Sequence, residues 1–426
     1  MKYALINGII LDGTKDMKPI KDKTILVENE KIVAIIDSSM RLEGYDIIDL
    51  ANQYIMPGLI NLHAHLPSSG RPKKKESDPK RLVKLLTKTR LSRWLVLKVC
   101  EGYAKTELKS GVTTLRTVGG VLDIDTKIRD RINSGVTLGP RILAANMAIS
   151  VPNGHMAGSL AYEAHNEAEA RKYVKIIAKD KPDLIKLMIT GGVLDAKVKG
   201  EPGELKMDPA IVRAAVEEAH ELGLSVAAHV ESPLGVKVAL ENGVDTIEHG
   251  AKPDDEIIAL FKEHNAKHVC TISPALPFAL FDRGVSHATE LSQYNGNIVF
   301  EGILECAKKC LENDILVGLG TDTGCPFITH YDMWREINYF SKYACVSKAF
   351  ALYSATLGNA KIVGLDNKVG SIEAGKLADM IVSKGNPLED LSALRSLSYV
   401  IRNGAIIKAP KIKKLKQCER ELDKFI

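Results

Sequence analysis

Two rhythms of apolar and polar positions divide the chain. Up to residue 55 the apolar stretches are short and broken by turns: 3–11, a turn at Asp12-Gly13, then 24–28, 31–36 and 47–50. Val27-Glu28-Asn29-Glu30-Lys31-Ile32 has the form of a hairpin, so residues 1–55 predict the first part of a small β-sandwich. From Met56 each short apolar run is followed by a longer amphipathic stretch, and eight such runs follow one another: 59–65, 112–118, 142–147, 184–190, 226–230, 246–249, 269–273 and 317–321. Segments 166–179 and 209–222 show the helical period between them.

Strands alternating with helices imply a parallel sheet with right-handed crossovers. Eight units over residues 56–365 fit a closed (β/α)8 TIM barrel of the α/β class. A doubly wound open sheet is the rival arrangement. Strand signals return at 370–372, 378–382 and 399–404, so residues 366–410 predict the second part of the sandwich, built from both chain ends. Residues 411–426 read as a basic helical tail, solvated or in contact with another subunit.

Composition narrows the class rather than the chemistry. The chain has 426 residues, 45% hydrophobic and 26% charged, with 58 basic against 53 acidic residues and a net charge of +5. This diffuse excess does not argue for nucleic acid, and no apolar run reaches the roughly 18 residues of a membrane span. Seven cysteines without paired close spacing read as reduced thiols, and Cys306 and Cys310, one helical turn apart, as core packing. The expectation is a cytoplasmic enzyme for a small-molecule substrate, binding neither nucleic acid nor membrane and assembling as a homo-oligomer.

In a barrel of this kind the active site lies at the C-terminal ends of the strands. The first run ends in Leu62-His63-Ala64-His65, and residues two apart on a strand share a face, so both imidazoles can address one centre. The fourth run buries Lys186. Such an amine is either paired with a carboxylate or driven neutral, and a neutral amine can take up carbon dioxide as a carbamate. The fifth and sixth runs end in His229 and His249, and the eighth in Gly320-Thr321-Asp322-Thr323-Gly324. Nitrogen and oxygen donors suit zinc first, with manganese, iron or cobalt also compatible. His165, His220, His264, His268, His287 and His330 read as surface histidines in helices or loops.

These motifs in combination resemble the amidohydrolase superfamily, in its imidazolonepropionase-like and prolidase-like (Xaa-Pro dipeptidase-type) branch. The matching stretches are Pro57-Gly58-Leu59-Ile60-Asn61-Leu62-His63-Ala64-His65, Ile185-Lys186 with Gly191-Gly192, Gly243-Val244-Asp245-Thr246-Ile247-Glu248-His249-Gly250, Gly320-Thr321-Asp322-Thr323-Gly324, and residues 370–379. The resemblance implies two divalent metal ions. His63, His65 and Asp322 would hold one, His229 and His249 the other, and carbamylated Lys186 would bridge them. It implies a metal-bridging hydroxide as nucleophile, Asp322 as proton carrier and His155, after the third strand, polarising the scissile carbonyl. For His155 a plain loop histidine is the alternative. Cleavage of a C–N amide bond in a dipeptide or N-acyl amino acid is the expected reaction. Cyclic-amide (imidazolone-type) hydrolysis or deamination is the enzymatic rival, and a catalytically silent scaffold the non-enzymatic one.

Position alone nominates Arg116, closing the second run, for a substrate carboxylate. Glu231, Pro274, Thr323 and Cys325 are placed at the pocket on the same ground, and Arg71, Lys73, Lys74, Lys75, Lys80 and Arg81 form a basic loop at the rim.

Overall fold

The computed structural model describes residues 2–72 and 78–426. Lys73, Lys74 and Lys75 of the expected basic loop lie outside the described residues. Eight parallel strands alternate with helices and close into a barrel: β1 (Leu59–Ala64), β2 (Val112–Thr117), β3 (Arg141–Ala144, resumed at Ala148–Ser150), β4 (Leu184–Met188), β5 (Ser225–Val230), β6 (Thr246–His249), β7 (Lys267–Cys270) and β8 (Val317–Leu319). All residues of β1, β2, β4 and β6 are buried, the pattern of strands covered on both faces.

Two seams close the ring. Between β3 and β4, Asp183 N–H donates to Ala144 O at 2.8 Å and Ile149 pairs with Leu187. Between β8 and β1 regular pairing gives way to side chains. Asn359 Nδ2 donates to Ile60 O at 2.7 Å and to Leu319 O at 2.9 Å, while its Oδ1 accepts from Leu319 N–H at 2.8 Å. A Cβ on Gly318 would stand 2.4 Å from Asn359 Oδ1, and one on Gly320 would stand 2.4 Å from the Cβ of His63. Gly320 is therefore required by the close approach of β8 to β1, and Gly318 by the Asn359 side chain that spans them. Above the seam, Asp322 N–H donates to His63 O and His65 N–H to Thr323 O, both at 2.9 Å, which ties the two strand ends carrying candidate donors to each other.

The chain ends form the second body. One sheet orders Lys31–Asp37, Lys23–Glu28, Lys2–Ile6 and Asp46–Asp49; the other orders Ala405–Lys408, Leu397–Arg402, Met380–Ser383, Tyr54–Pro57 and Ile9–Ile10. Tyr54–Pro57 pairs antiparallel with Met380–Ser383, so the N- and C-terminal segments share one sheet as expected. Tyr3, Val27, Ile55, Met380, Val382 and Ile401 belong to its own apolar core.

Three expectations need correction. The stretch 370–372 is not a strand; Ile372 N–H instead anchors to Asp12 O at 2.9 Å. The run 269–273 begins earlier as β7, and its last residues start the helix Ile272–Leu280, whose first N–H groups at Ile272 and Ser273 are accepted by Glu336 at 2.7 and 2.8 Å. A carboxyl group from a distant helix thus caps a terminus that Thr271 leaves uncapped.

The C-terminal tail is not simply solvated either. Its helix Lys416–Leu422 buries Cys418 and Leu422 and brings Glu419 and Asp423 onto the fully buried Arg335, at 2.9 and 2.6 Å. Removing residues 416–426 would leave that guanidinium with Asp332 as its one remaining acidic partner among the described residues. Loss of two partners from a buried cation costs about 3 kcal/mol, so the truncated chain is expected to unfold at clearly lower urea. An unchanged midpoint would mean that the tail contributes nothing to the fold.

Candidate metal centre

His63, His65, Lys186, His229, His249 and Asp322 all meet at the C-terminal mouth of the barrel, on a cavity of about 350 Å3. One donor atom each from His63, His249 and Asp322 lies within 4.8 Å of the others, and so does one each from His229, Glu231 and His249. Asp322 Oδ1 stands 3.1 Å from His65 Nε2 and 3.5 Å from His63 Nε2. The ring centroids of His63 and His249 are 4.8 Å apart, those of His229 and His249 4.6 Å.

Local conformation aims these groups. Alternation along β1 sends His63 and His65 to one face. His249 and Asp322 take positive φ, 66° and 52°, as the chain leaves β6 and β8. A left-handed backbone at a residue other than glycine is uncommon and is held here by the strand-end bonds around it.

Electrostatics leave His63, His229 and His249 available as neutral donors, whereas at His65 burial is outweighed by Asp322, which raises the pKa. Burial lowers the His63 pKa to about 4, with Lys186 adding to the effect. Burial also takes His229 and His249 well below the usual histidine range, with His155 and His63 respectively reinforcing it. For Asp322 burial works the other way, but His63 and His65 outweigh it and hold the carboxyl well below its normal value. Burial brings Lys186 down to about 8, against the opposing pull of Glu248. Lys186 Nζ is buried without a hydrogen-bond partner, and Asp322 Oδ1 stands among the ring nitrogens of His63 and His65. An unpaired buried amine beside a carboxylate and converging imidazoles fits a donor set built for cations.

Beneath the donors runs a chain that the strand pattern did not reveal. Glu248, fully buried, accepts from His63 Nδ1 at 2.8 Å, from Arg116 NH2 at 2.7 Å and from Thr246 Oγ1 at 2.7 Å. Burial penalises this carboxylate, yet Arg116 and then His63 hold its pKa well below the ordinary range. With Nδ1–H committed to Glu248, His63 turns Nε2 toward Asp322.

The expectation that Arg116 meets a substrate carboxylate is therefore corrected. Its Nε donates to Leu62 O at 2.6 Å and NH1 to Thr246 at 3.1 Å, and it is absent from the cavity wall. An arginine on an inward-facing strand position compensates a buried acid before it can reach the rim.

His155 does line the cavity. It stacks on His229 with centroids 4.2 Å apart, and its Nδ1 stands 2.5 Å from Asp195 Oδ2. Asp195 escaped notice because loop-to-loop pairing carries no periodic signal. Glu231, Pro274 and Cys325 line the cavity, whereas Thr323 is buried and bonded to Thr321. Burial raises Glu231 to about 8, reinforced by Asp322.

His165, His220, His264 and His287 are exposed, but His268 and His330 are not. His268 falls inside β7 and its Nε2 lies 2.7 Å from His249 O; His330 Nδ1 lies 3.2 Å from the buried Glu107. Of the basic rim residues, Lys80 pairs with Glu163 at 2.8 Å.

Comparison with known proteins places this geometry among others. Residues 54–408 match the model of the amidohydrolase family. A solved structure from Bifidobacterium longum, provisionally described as a prolidase, is 34% identical and superposes with a TM-score of 0.87, covering 99% of this chain and 98% of that one. A Xaa-Pro dipeptidase solved with methionine in its active site is 30% identical, with a TM-score of 0.83 over 96% of this chain and 100% of that one. The imidazolonepropionase of Picrophilus torridus is 23% identical over 393 residues, 88% of this chain and 89% of its own length. Against an uncharacterised protein of Mycobacterium tuberculosis, 28% identical over 219 residues, the chain spans half of the relative's length.

The Glu248 chain carries its own test. Glu248→Gln keeps the shape but weakens the hold on His63 Nδ1–H, and loss of such a partner typically costs about 10- to 100-fold in metal affinity. Competition with a chromogenic chelator is expected to show a loss in that range. Undiminished affinity would mean that Glu248 serves the barrel floor alone.

Proposed function

The chain belongs to the amidohydrolase family, in its prolidase-like and imidazolonepropionase-like branch, and from that premise we propose that it is a metal-dependent hydrolase of a C–N amide bond in a dipeptide or N-acyl amino acid. The observation that carries the reading is Asp322 within 3.5 Å of both His63 and His65, in a cavity that the buried, unpaired Lys186 also lines.

His63, His65 and Asp322 would hold one divalent cation and His229 with His249 a second, zinc being the natural occupant for this donor set. Lys186, as its carbamate, would supply the anionic bridge between them. A bound divalent metal would acidify a water toward hydroxide near neutral pH and polarise the carbonyl. Asp322 then takes the proton released at attack and returns it to the leaving nitrogen. His155 is held through Nδ1 by Asp195, which leaves Nε2 to face the substrate carbonyl oxygen. The methionine in the active site of the Xaa-Pro dipeptidase supports an amino-acid product.

Cyclic-amide hydrolysis is the competing reaction, supported by the likeness to imidazolonepropionase. Metal counting separates the two. The wild type is expected to bind two ions per chain and to carry a carbon dioxide adduct visible by native mass spectrometry. Lys186→Ala should lose the adduct and at least one ion. Retention of the full complement by Lys186→Ala would remove the bridge.

Turnover of a panel of dipeptides, N-acyl amino acids and cyclic amides by zinc-loaded protein tests the reaction itself. Asp322→Asn is expected to lose about 10^2- to 10^4-fold in kcat, the size of a general acid–base contribution, and His63→Ala to lose activity together with metal. Full kcat in Asp322→Asn would exclude it as the proton carrier.

A further inference from the structure

We propose that the helical hairpin after the first barrel strand docks the enzyme on an anionic lipid bilayer surface. Its two helices are Pro79–Leu86 and Arg90–Lys109. Each turns an apolar stripe to solvent. Leu82, Leu85 and Leu86 recur at helical spacing on the first; Leu91, Trp94, Leu95 and Val99 do so on the second. Leu85 and Leu91 are 65% and 67% exposed and Trp94 52%, values at which leucine and tryptophan contribute nothing to the chain's own core. The first helix has no buried residue at all.

Charge distinguishes among the possible occupants of this face. Residues 79–98 contain seven lysines and arginines and no aspartate or glutamate. A second copy seated symmetrically would bring the two basic rims together, whereas anionic headgroups would neutralise them. Nucleic acid would satisfy the charges but would gain nothing from leucines. Exposed Leu and Trp on one side of a helix with Lys and Arg on its flanks is the composition of helices that lie in the headgroup region. This is attachment to a surface, since no described helix is long and apolar enough to cross a membrane. It replaces the expectation of no membrane contact drawn from the chain as a whole, where a net charge of only +5 conceals the local concentration.

The location gives such docking a consequence. Pro79, Leu82 and Val83 of the first helix also line the candidate catalytic cavity, together with Leu160, Val193 and Phe278. The first helix therefore borders both the bilayer surface and the substrate cavity, with Leu82 belonging to both, and an apolar substrate dissolved in the lipid meets the apolar wall directly.

Trp94 supplies the test, because the other tryptophan, Trp334, is buried. Full-length protein would be mixed with vesicles of equal parts phosphatidylglycerol and phosphatidylcholine, or of phosphatidylcholine alone, and read by co-sedimentation and tryptophan emission. The expected result is co-sedimentation and a blue shift with the anionic vesicles only, both suppressed by high salt. Arg90→Glu/Arg93→Glu should lower partitioning about tenfold or more, and Leu91→Glu/Leu95→Glu should abolish the blue shift while circular dichroism stays native. No binding to anionic vesicles at low salt overturns the proposal. So does a wild-type oligomer that ignores vesicles and dissociates in Leu91→Glu/Leu95→Glu, which would assign the face to a second copy.

Discussion

The carboxylate of Glu248 is the group on which the rest of the site depends. It lies in the barrel interior, where an unpaired charge is prohibitive, and it survives there by accepting from three strands at once: His63 of β1, Arg116 of β2 and Thr246 of β6. Each partner then loses its freedom. Arg116 is turned inward and away from substrate, and the tautomer and direction of His63 are fixed. The same buried acid opposes the fall in the Lys186 pKa, so a charge beneath the donors tunes the one amine among them.

The barrel and its site are coupled through the β8–β1 seam. Side chains replace the regular ladder there, with Asn359 spanning Ile60 and Leu319 and Asn61 bonded to Thr321 at 2.8 Å. Backbone bonds from Asp322 to His63 and from His65 to Thr323 continue that seam into the site. Any loosening of the closure would therefore separate Asp322 from the two imidazoles it faces. Stability and chemistry share these atoms, which accounts for glycines at 320, where a side chain would push the strands apart, and at 318, where it would displace Asn359.

What was legible in the sequence is what repeats. The strand–helix rhythm and the polar residue closing each apolar run located His63, His65, Lys186, His229, His249 and Asp322, because strand ends in a barrel necessarily converge. What escaped is what depends on contacts between distant segments. Glu248 precedes a candidate donor by one residue, and strict alternation would send it away from the site; the positive φ of His249 breaks that alternation, so both side chains turn inward. Asp195 meets His155 across 40 residues of loop. His268 was misplaced by a two-residue error in the start of β7, enough to move it from loop to core.

In the basic hairpin averaging over the whole chain conceals a local pattern. Its charges vanish into a near-neutral total, and its leucines, read along the chain, look like ordinary amphipathic positions awaiting a core. Only the fold shows that no core arrives: β2 and the helix Ile124–Asn133 pack against the second helix, yet Leu91, Trp94, Leu95 and Val99 stay outside. An apolar stripe left in water is a cost that folding does not recover. The first helix of the same hairpin, eight residues long, forms a wall of the cavity, so whatever relieves that cost at the surface also bears on the entrance to the site.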